Sequence, residues 1–231
     1  MGKCFIGMII GNGLVAKGFK KFNHTNYLIL ASGVSDSLEH RSEEFTREET
    51  LVLNAIKEHP KKKVIYISTI LIDFRNDPYY LHKRKIENII KTNAKEYLIF
   101  RVPQLVGTEG NPNNVVNYFK DKIKKGQKLL VHEGVLRSLL GVKDLVKIVT
   151  LPCILKRTGT MFISGVEFVE VSTICKLIAK ALGKPLHVEI RAMYEDSKWT
   201  TLNSSYIEEA FCTLKINSEG YTKNLISEYI Y

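Results

Sequence analysis

The sequence predicts an α/β fold: a parallel sheet with helices on both faces, then a smaller C-terminal lobe. Two observations carry it. Short, nearly continuous apolar runs at 4–10, 27–31, 64–67 and 97–100 read as strands buried on both faces. Stretches with apolar residues at helical spacing separate the later runs, which is the alternation that builds a parallel sheet.

Taken in order, Cys4–Ile10 is the first strand, and Gly11-Asn-Gly-Leu-Val-Ala-Lys-Gly18 turns out of it towards Phe19–Phe22. After a polar break at Asn23–Asn26, Tyr27–Ala31 is a second strand that ends in Ser32-Gly33. Ser42–Glu58 reads as a helix: Ser42 can cap it, acids fill its first turn, and Phe45, Val52 and Ile56 share a face. Pro60 closes it, and Val64–Ile67 is a third strand running into Ser68-Thr69. Pro78 opens another helix with Leu81, Ile86, Ile89 and Ile90 as apolar positions; Tyr97–Phe100 is the fourth strand, ending at Arg101-Val-Pro103. Beyond Val106-Gly107 the texture changes. Asn111–Asn114 is a loop, Leu129–Val131 a short strand, and Val115–Lys124, Val142–Val149, Val171–Leu182 and Ser205–Cys212 are shorter helices. The chain thus divides into a sheet part, 1–107, and a C-terminal lobe, 108–231, packed as one unit.

The 231 residues are 45% hydrophobic and 25% charged, which excludes disordered and fibrous classes. No apolar run reaches a membrane span and the N-terminus has no signal-peptide pattern, so a cytoplasmic protein without membrane contact is expected. Four widely spaced cysteines in apolar settings, with no CxxC pair, read as buried thiols rather than disulfides or a zinc site; no metal is expected. The net charge of +10 invites a nucleic-acid reading, but only eight of the 34 basic residues are arginine. The clusters at Lys61–Lys63, Lys83–Lys85 and Lys120–Lys125 read as solvated helix ends and turns, so no nucleic acid is expected. A positive field that attracts a phosphate-bearing small molecule is the better use of the charge.

Two constellations carry chemistry. Gly11-x-Gly13-x-x-Ala16, after a buried strand and before a helix, lets backbone approach a pyrophosphate and aims helix N–H groups at it. A P-loop is excluded because no G-K-[ST] follows. Tyr79 and Lys83, four apart on one helix face, can form an acid–base pair in which the ammonium lowers the phenol pKa. Tyr118/Lys122 and Tyr194/Lys198 share that spacing, and for two of the three a tyrosine beside a surface lysine is the correct reading. Ser68-Thr69, at the end of the preceding strand, singles out Tyr79.

With these pieces the chain resembles an extended short-chain dehydrogenase/reductase of the nucleotide-sugar epimerase/dehydratase group. Ile10–Ala16 is similar to its phosphate loop, Val64–Thr69 to its strand ending in paired hydroxyls, and Tyr79–Glu87 to its Y-x-x-x-K-x-x-x-E helix. Phe100–Pro103 with Val106-Gly107, Arg137 with Gly141–Leu145, and Phe162–Val171 with Ile178–Gly183 resemble later segments in the family's order.

The resemblance implies a Rossmann-like sheet and an NAD(P)-dependent oxidoreductase or epimerase acting on a nucleotide-diphosphate sugar. A 4-keto reductase or epimerase step in surface-polysaccharide sugar synthesis is its most concrete form. Tyr79 would be the acid/base, Thr69 would hydrogen-bond the reacting oxygen, and Lys83 would hold the Tyr79 pKa down and contact the nicotinamide ribose. Gly11, Gly13, Leu14, Ala31, Ser32 and Gly33 would line the NAD or NADP site; Ser68, Arg137 and Arg191 would face the substrate. Arg101 reads as a structural ion pair. The segments around Glu48–Lys57 and Tyr79–Lys91 resemble those through which the family dimerises, so a homodimer is implied.

Three departures shape the expectation. No acid ends the second strand, and Ala31-Ser-Gly33 looks like the family's fourth strand, so a sheet reduced in strand number is favoured. The alternative keeps Tyr27–Ala31 as a true second strand with Asp36 as ribose ligand. The loop from Thr69 to Tyr79 is short, and the asparagine that often precedes the Ser/Thr strand has no counterpart. A second functional reading follows: a catalytically degraded Rossmann module that binds a nucleotide or partner protein without turnover.

Overall fold

The computed structural model describes residues 8–22, 25–108, 112, 114–163, 166–192 and 205–230. The chain divides into two units, Met1–Val102 with Val146–Ile163, and Pro103–Leu145 with Ser164–Tyr231. In chain order the elements are β1 (Met8–Ile10), α1 (Leu14–Phe19), β2 (Tyr27–Leu30), α2 (Ser42–Glu58), β3 (Lys63–Thr69), α3 (Pro78–Asn93), β4 (Tyr97–Val102), β5 (Gln104–Val106), α4 (Val115–Lys124), β6 (Leu129–Glu133), β7 (Leu136–Arg137), β8 (Leu139–Gly141), α5 (Val142–Val149), α6 (Pro152–Leu155), β9 (Gly159–Phe162), β10 (Val169–Glu170), α7 (Val171–Leu182), β11 (Val188–Ala192), α8 (Ser205–Thr213) and α9 (Tyr221–Ile230). The expectations for Cys4–Gly7, Asn111, Asn113, Ser164-Gly165 and Tyr194/Lys198 lie outside the described residues.

In the first unit β1, β2, β3, β4 and β9 form one five-stranded sheet in that order, parallel throughout. Ile10 lies beside Leu30, Leu30 beside Tyr66, Ile67 beside Phe100, and Phe100 beside Met161. The unbroken apolar runs are explained by burial of both faces. Leu28, Leu30, Val64, Tyr66 and Ile99 pack with Val52, Ala55 and Ile56 of α2 and Ile86 and Ile90 of α3. The alternating Ile29, Ile65, Leu98 and Phe100 are equally buried on the opposite face.

The sheet order decides between the two readings of Tyr27–Ala31. That run lies between β1 and β3, and among the described residues β1 is the terminal strand. The order never reverses, so the sheet is the one of reduced strand number. The alternative, with Tyr27–Ala31 as a true second strand and Asp36 as ribose ligand, is corrected.

Both sheet-covering helices begin with legible chemistry. Pro78 opens α3 behind the N-cap Asp77, where its missing N–H costs nothing. In α2 the expected cap is corrected: Arg41 is the N-cap, no side chain caps it, and Ser42 is the first helical residue. Glu43 and Glu44 of that first turn meet the positive helix end instead.

Three further expectations are corrected. Leu81 of α3 is 51% exposed, and the buried stripe takes Tyr80, His82, Lys83 and Glu87 beside Ile86 and Ile90. Lys63 is not a solvated lysine: its Nζ donates to the carbonyls of Leu155, at 3.0 Å, and of Arg157. Cys175 is buried, but Cys153 and Cys212 are exposed, each beside a residue that faces inward (Ile154 and Phe211).

The second unit holds three small strand pairs: β5 with β8 and β6 with β11, both parallel, and β7 with β10, antiparallel. The helix α7 buries Val171, Ile174, Cys175 and Ile178 and ends at Gly183, whose φ of 60° favours glycine. In α9, Tyr221 donates its hydroxyl to Asp144 (2.8 Å) and accepts from the Gly141 N–H (3.0 Å).

Two apolar positions of α3 give a direct check of this packing. Ile90→Ala, at a fully buried site, should cost about 2–5 kcal/mol in denaturant unfolding. Leu81→Ala, on the same helix, should change stability by less than about 0.5 kcal/mol.

Candidate active site

The C-terminal ends of β1 and β2 bring the expected cofactor residues together. Gly11 adopts φ +131°, and a Cβ there would lie 2.2 Å from the Ala31 carbonyl oxygen and 2.8 Å from the Ser32 nitrogen. Only glycine permits this approach. The Ala31 N–H donates to the Ile10 carbonyl (2.8 Å), which fixes the turn against β2. Gly13 is the N-cap of α1, and its Cβ position is open space, with Leu14 starting the helix. Backbone is therefore uncovered where a phosphate would meet the helix start.

The row continues into a buried polar hub. A Cβ on Gly33 would lie 2.4 Å from Glu48 Oε1 and 2.7 Å from Lys83 Nζ, so a larger residue would displace the two charged groups. Glu48, on α2 and 1% exposed, is the centre. Its Oε2 accepts from the Val34 N–H (2.7 Å) and lies 2.9 Å from His82 Nε2. Its Oε1 accepts from the Tyr66 hydroxyl (3.0 Å). Lys83, 4% exposed, donates to Glu48 Oε1 (3.1 Å) and Oε2 (3.3 Å) and to the Tyr66 oxygen (3.0 Å). The His82 ring stacks on Phe45, centroids 4.5 Å apart.

Burial alone would push the Glu48 carboxyl up, but Lys83, His82 and the Val34 N–H hold it at about 2. Burial lowers the Lys83 ammonium, opposed by Glu48. Tyr79 starts the same helix as Lys83, and the ammonium lies 5.5 Å from its ring centroid, against the ring face. Burial pushes the Tyr79 phenol up, and Tyr80, Glu48 and Asp36 add to it. The expected depression of the Tyr79 pKa by Lys83 is therefore corrected: burial outweighs it.

Of the paired hydroxyls, Thr69 ends β3 half-buried, and its Oγ1 accepts from the Leu71 N–H (3.3 Å), a bond that does not use the hydroxyl proton. Ser68 is turned the other way. It is buried and donates to Glu87 Oε1 (2.7 Å), so its expected place facing the substrate is corrected. Glu87 also accepts from Arg101 Nε (2.9 Å) and Nη2 (2.7 Å), and Arg101 reaches Asp73, the ion pair expected for that arginine. Arg137 and Arg191 both fall in the second unit, on different strand pairs. Arg137 Nη1 donates to the Leu136 carbonyl, and Arg191 is exposed and paired with Glu189 (2.8 Å). Tyr118 and Lys122 form the surface pair expected of a chance match, the ammonium 5.7 Å from the ring. Among the described residues no cluster of His, Cys, Asp or Glu could hold a metal, and no helix is long and apolar enough to cross a membrane.

The sequence reading missed Glu48, Tyr66 and His82. A signal existed: Glu48 shares its helix face with Val52 and Ala55, and Lys83 with Ile86 and Ile90. Opposite charges inside the apolar stripes of two consecutive helices point to a buried pair.

No family model and no curated protein sequence matches the chain. Solved structures do. UDP-glucose 4-epimerase from Thermus thermophilus, in complex with NAD, aligns with a TM-score of 0.68 at 16% identity, over 94% of this chain and 79% of that one. UDP-N-acetylglucosamine 4-epimerase from Methanobrevibacter ruminantium, in complex with UDP-N-acetylmuramic acid, aligns at 0.69 and 14%, over 89% and 75%. The dTDP-glucose 4,6-dehydratase of Bacillus anthracis, in complex with NAD, aligns at 0.67 and 16%, over 95% and 76%.

The fold is that of the nucleotide-sugar epimerases and dehydratases. Within this fold the chain spans 75–79% of those three structures, and its sheet, which among the described residues ends at β1, is reduced in strand number.

Two measurements check the site's construction. Gly11→Ala should destabilise the protein by more than about 1 kcal/mol, because the Cβ meets backbone at a positive φ, whereas Gly13→Ala should leave unfolding nearly unchanged. The Glu48 carboxyl, lowered from its ordinary 4.5 to about 2, contributes stability that is complete above pH 4.5 and lost as pH falls towards 2. In acid titrations followed by circular dichroism this is roughly 3 kcal/mol, and Glu48→Gln should flatten that part of the decline.

Proposed function

We propose that this chain is an NAD(P)-dependent oxidoreductase or epimerase acting on a nucleotide-diphosphate sugar. The observation that carries the reading is the unbroken row from the Gly11 turn through Ala31, Ser32 and Gly33 to Lys83 and Tyr79, all on one unit. The same fold binds NAD in the Thermus epimerase and the Bacillus dehydratase, and a UDP-sugar in the Methanobrevibacter epimerase.

The residues fit a dinucleotide at its pyrophosphate. Gly11 forms the turn, and Gly13 and Leu14 present uncovered backbone at the start of α1. Ala31, Ser32 and Gly33 supply the small surface beside it. The adenosine ribose has no acid to meet, because β1 is the end strand among the described residues. A nicotinamide held there would supply hydride exchange with a sugar carbon. Tyr79 gives or takes the proton at the oxygen on that carbon, and Thr69 donates a hydrogen bond to the same oxygen. Arg137 and Arg191 bind the substrate's diphosphate. A homodimer through α2 and α3, and a cytoplasmic role in making a surface-polysaccharide sugar, complete the reading.

One observation favours a second reading, binding without turnover: Lys83, which should reach the ribose, is already engaged by Glu48 and Tyr66. Titration with NAD, NADH, NADP and NADPH separates the readings from an unrelated function. Binding of one of them is expected, and none at millimolar concentration would sink both enzyme and cofactor. With a nucleotide-sugar substrate, Tyr79→Phe should lower turnover roughly a hundred- to ten-thousand-fold and spare dinucleotide binding. Unchanged turnover would remove Tyr79 from the chemistry, and no turnover in the unmutated chain would favour the second reading.

A further inference from the structure

The positive charge of the chain is unevenly spread, and the proposed site uses little of it. Residues 120–128 and 180–188 hold seven lysines and a single acid, Asp121. The fold brings the two segments together. The helix α4 ends at Lys124 and α7 at Leu182, and the turns that follow lead into the parallel strands β6 and β11. The Leu129 N–H donates to the His187 carbonyl (2.8 Å), which fixes one turn against the other. Lys124, Lys125, Lys128, Lys180 and Lys184 are all exposed at this end of the second unit. Lys125 pairs with Asp121 (2.8 Å) and Lys128 with Glu189 (3.0 Å). Among the described residues no acid pairs with Lys124, Lys180 or Lys184.

Helix chemistry explains part of the cluster. Lys122, Lys124 and Lys180 lie in last turns, where cations meet the negative helix end. Lys128 and Lys184 lie beyond both helices. Nor does helix chemistry explain the apolar rim beside them. The register sets Val188 beside Leu129 and Ile190 beside Val131, on one face of the strand pair. Leu129 and Val131 are buried on β6, against which α4 and α7 pack, whereas Val188 and Ile190, on the outer strand, are 36% and 57% exposed. Tyr118, one turn before Lys122 on α4, is exposed as well, with that ammonium 5.7 Å from its ring centroid.

We propose that this end of the second unit docks on an anionic phospholipid surface, with its lysines over the headgroup phosphates and Val188 and Ile190 at the apolar boundary. Lysine suits such a plane, because a flexible point charge needs no fixed partner geometry. One held phosphate, or a nucleic acid, favours the fork of arginine, and neither segment contains an arginine. The expectation of no membrane contact rests on the lack of an apolar span, which bears on crossing a bilayer and not on docking to its surface. Neither segment contributes a residue to the proposed dinucleotide or sugar site, so the surface stands or falls independently of that function.

The test is co-sedimentation of the full chain with vesicles of phosphatidylcholine, alone or with about 30% phosphatidylglycerol. Binding to the anionic vesicles and not to the neutral ones is expected, falling at least about tenfold between about 50 mM and about 500 mM salt. A variant carrying Lys124→Gln, Lys128→Gln, Lys180→Gln and Lys184→Gln should bind more than about tenfold more weakly. A second variant removes the same charge from the first unit, with Lys20→Gln, Lys21→Gln, Lys57→Gln and Lys61→Gln, and should stay within about twofold of the unmutated chain. Circular dichroism checks that both variants are folded. No binding of the unmutated chain to anionic vesicles at low salt would overturn the proposal. Equal losses in the two variants would do the same, since they would show attraction by net charge alone. A DNA duplex serves as the competing polyanion. Tighter binding to the duplex than to vesicles, lost in the first variant, would assign the surface to nucleic acid and overturn the lipid reading.

Discussion

Everything in the first unit is arranged around one buried ion pair, Glu48 with Lys83. It joins α2 to α3, and through Val34 and Tyr66 it joins both helices to the loop after β2 and the middle of β3. Such a pair is a poor source of net stability, since desolvating two charges consumes most of what their attraction returns. What it supplies is constraint. With either partner missing, the other becomes an unpaired buried charge, a loss of about 3–5 kcal/mol, so alternative packings of the two helices are strongly disfavoured.

A second pair one helical turn further along α3 repeats the device. Glu87 accepts from Ser68 and Arg101, and Arg101 stacks its guanidinium over the Phe162 ring, 5.3 Å from the centroid. Lys83 thereby fixes α3 against α2, while Glu87 fixes it against β3, β4 and β9. A helix held at both points cannot slide by a turn without uncovering a charge. Tyr79, in the first turn of that helix, inherits its position from these two anchors, and its place beside Lys83 depends on no loop.

Much of this was legible in the residues. The bounds of α2 at Ser42–Glu58 follow from the acids at its start and Pro60 beyond its end, and Pro78 marks the start of α3. The glycine turn was legible because Gly11 and Gly13 stand between a buried strand and a helix, and Ala31-Ser-Gly33 because only small residues suit that approach. The rest depended on tertiary partners. β9 is four residues opening on Gly159, too short for periodicity, and exists because β4 offers it an edge. β11, by contrast, alternates Val188-Glu-Ile-Arg and was readable, as was α9, with Tyr221, Leu225 and Tyr229 at helical spacing. Leu81 misled because hydropathy alone cannot tell a stripe's rim from its centre. Lys83 could be read as a partner of Tyr79 from spacing, but its countercharge, 35 residues earlier, could not be placed without the packing of α2 on α3.

The pairing of β9 with β4 also governs the order in which the chain can fold. β4 ends at Val102 and β9 begins at Gly159, so the sheet stays one strand short until the intervening segment has left the ribosome. At about 5–20 residues per second that leaves the β4 edge waiting several seconds, with its backbone groups open to any other strand. Closing so long a loop is entropically expensive and slows the final step relative to the local β–α–β pairings that precede it. The strand that completes the sheet follows Pro103–Leu145, the first stretch of the second unit, which makes the emerging chain most exposed to mispairing at β4.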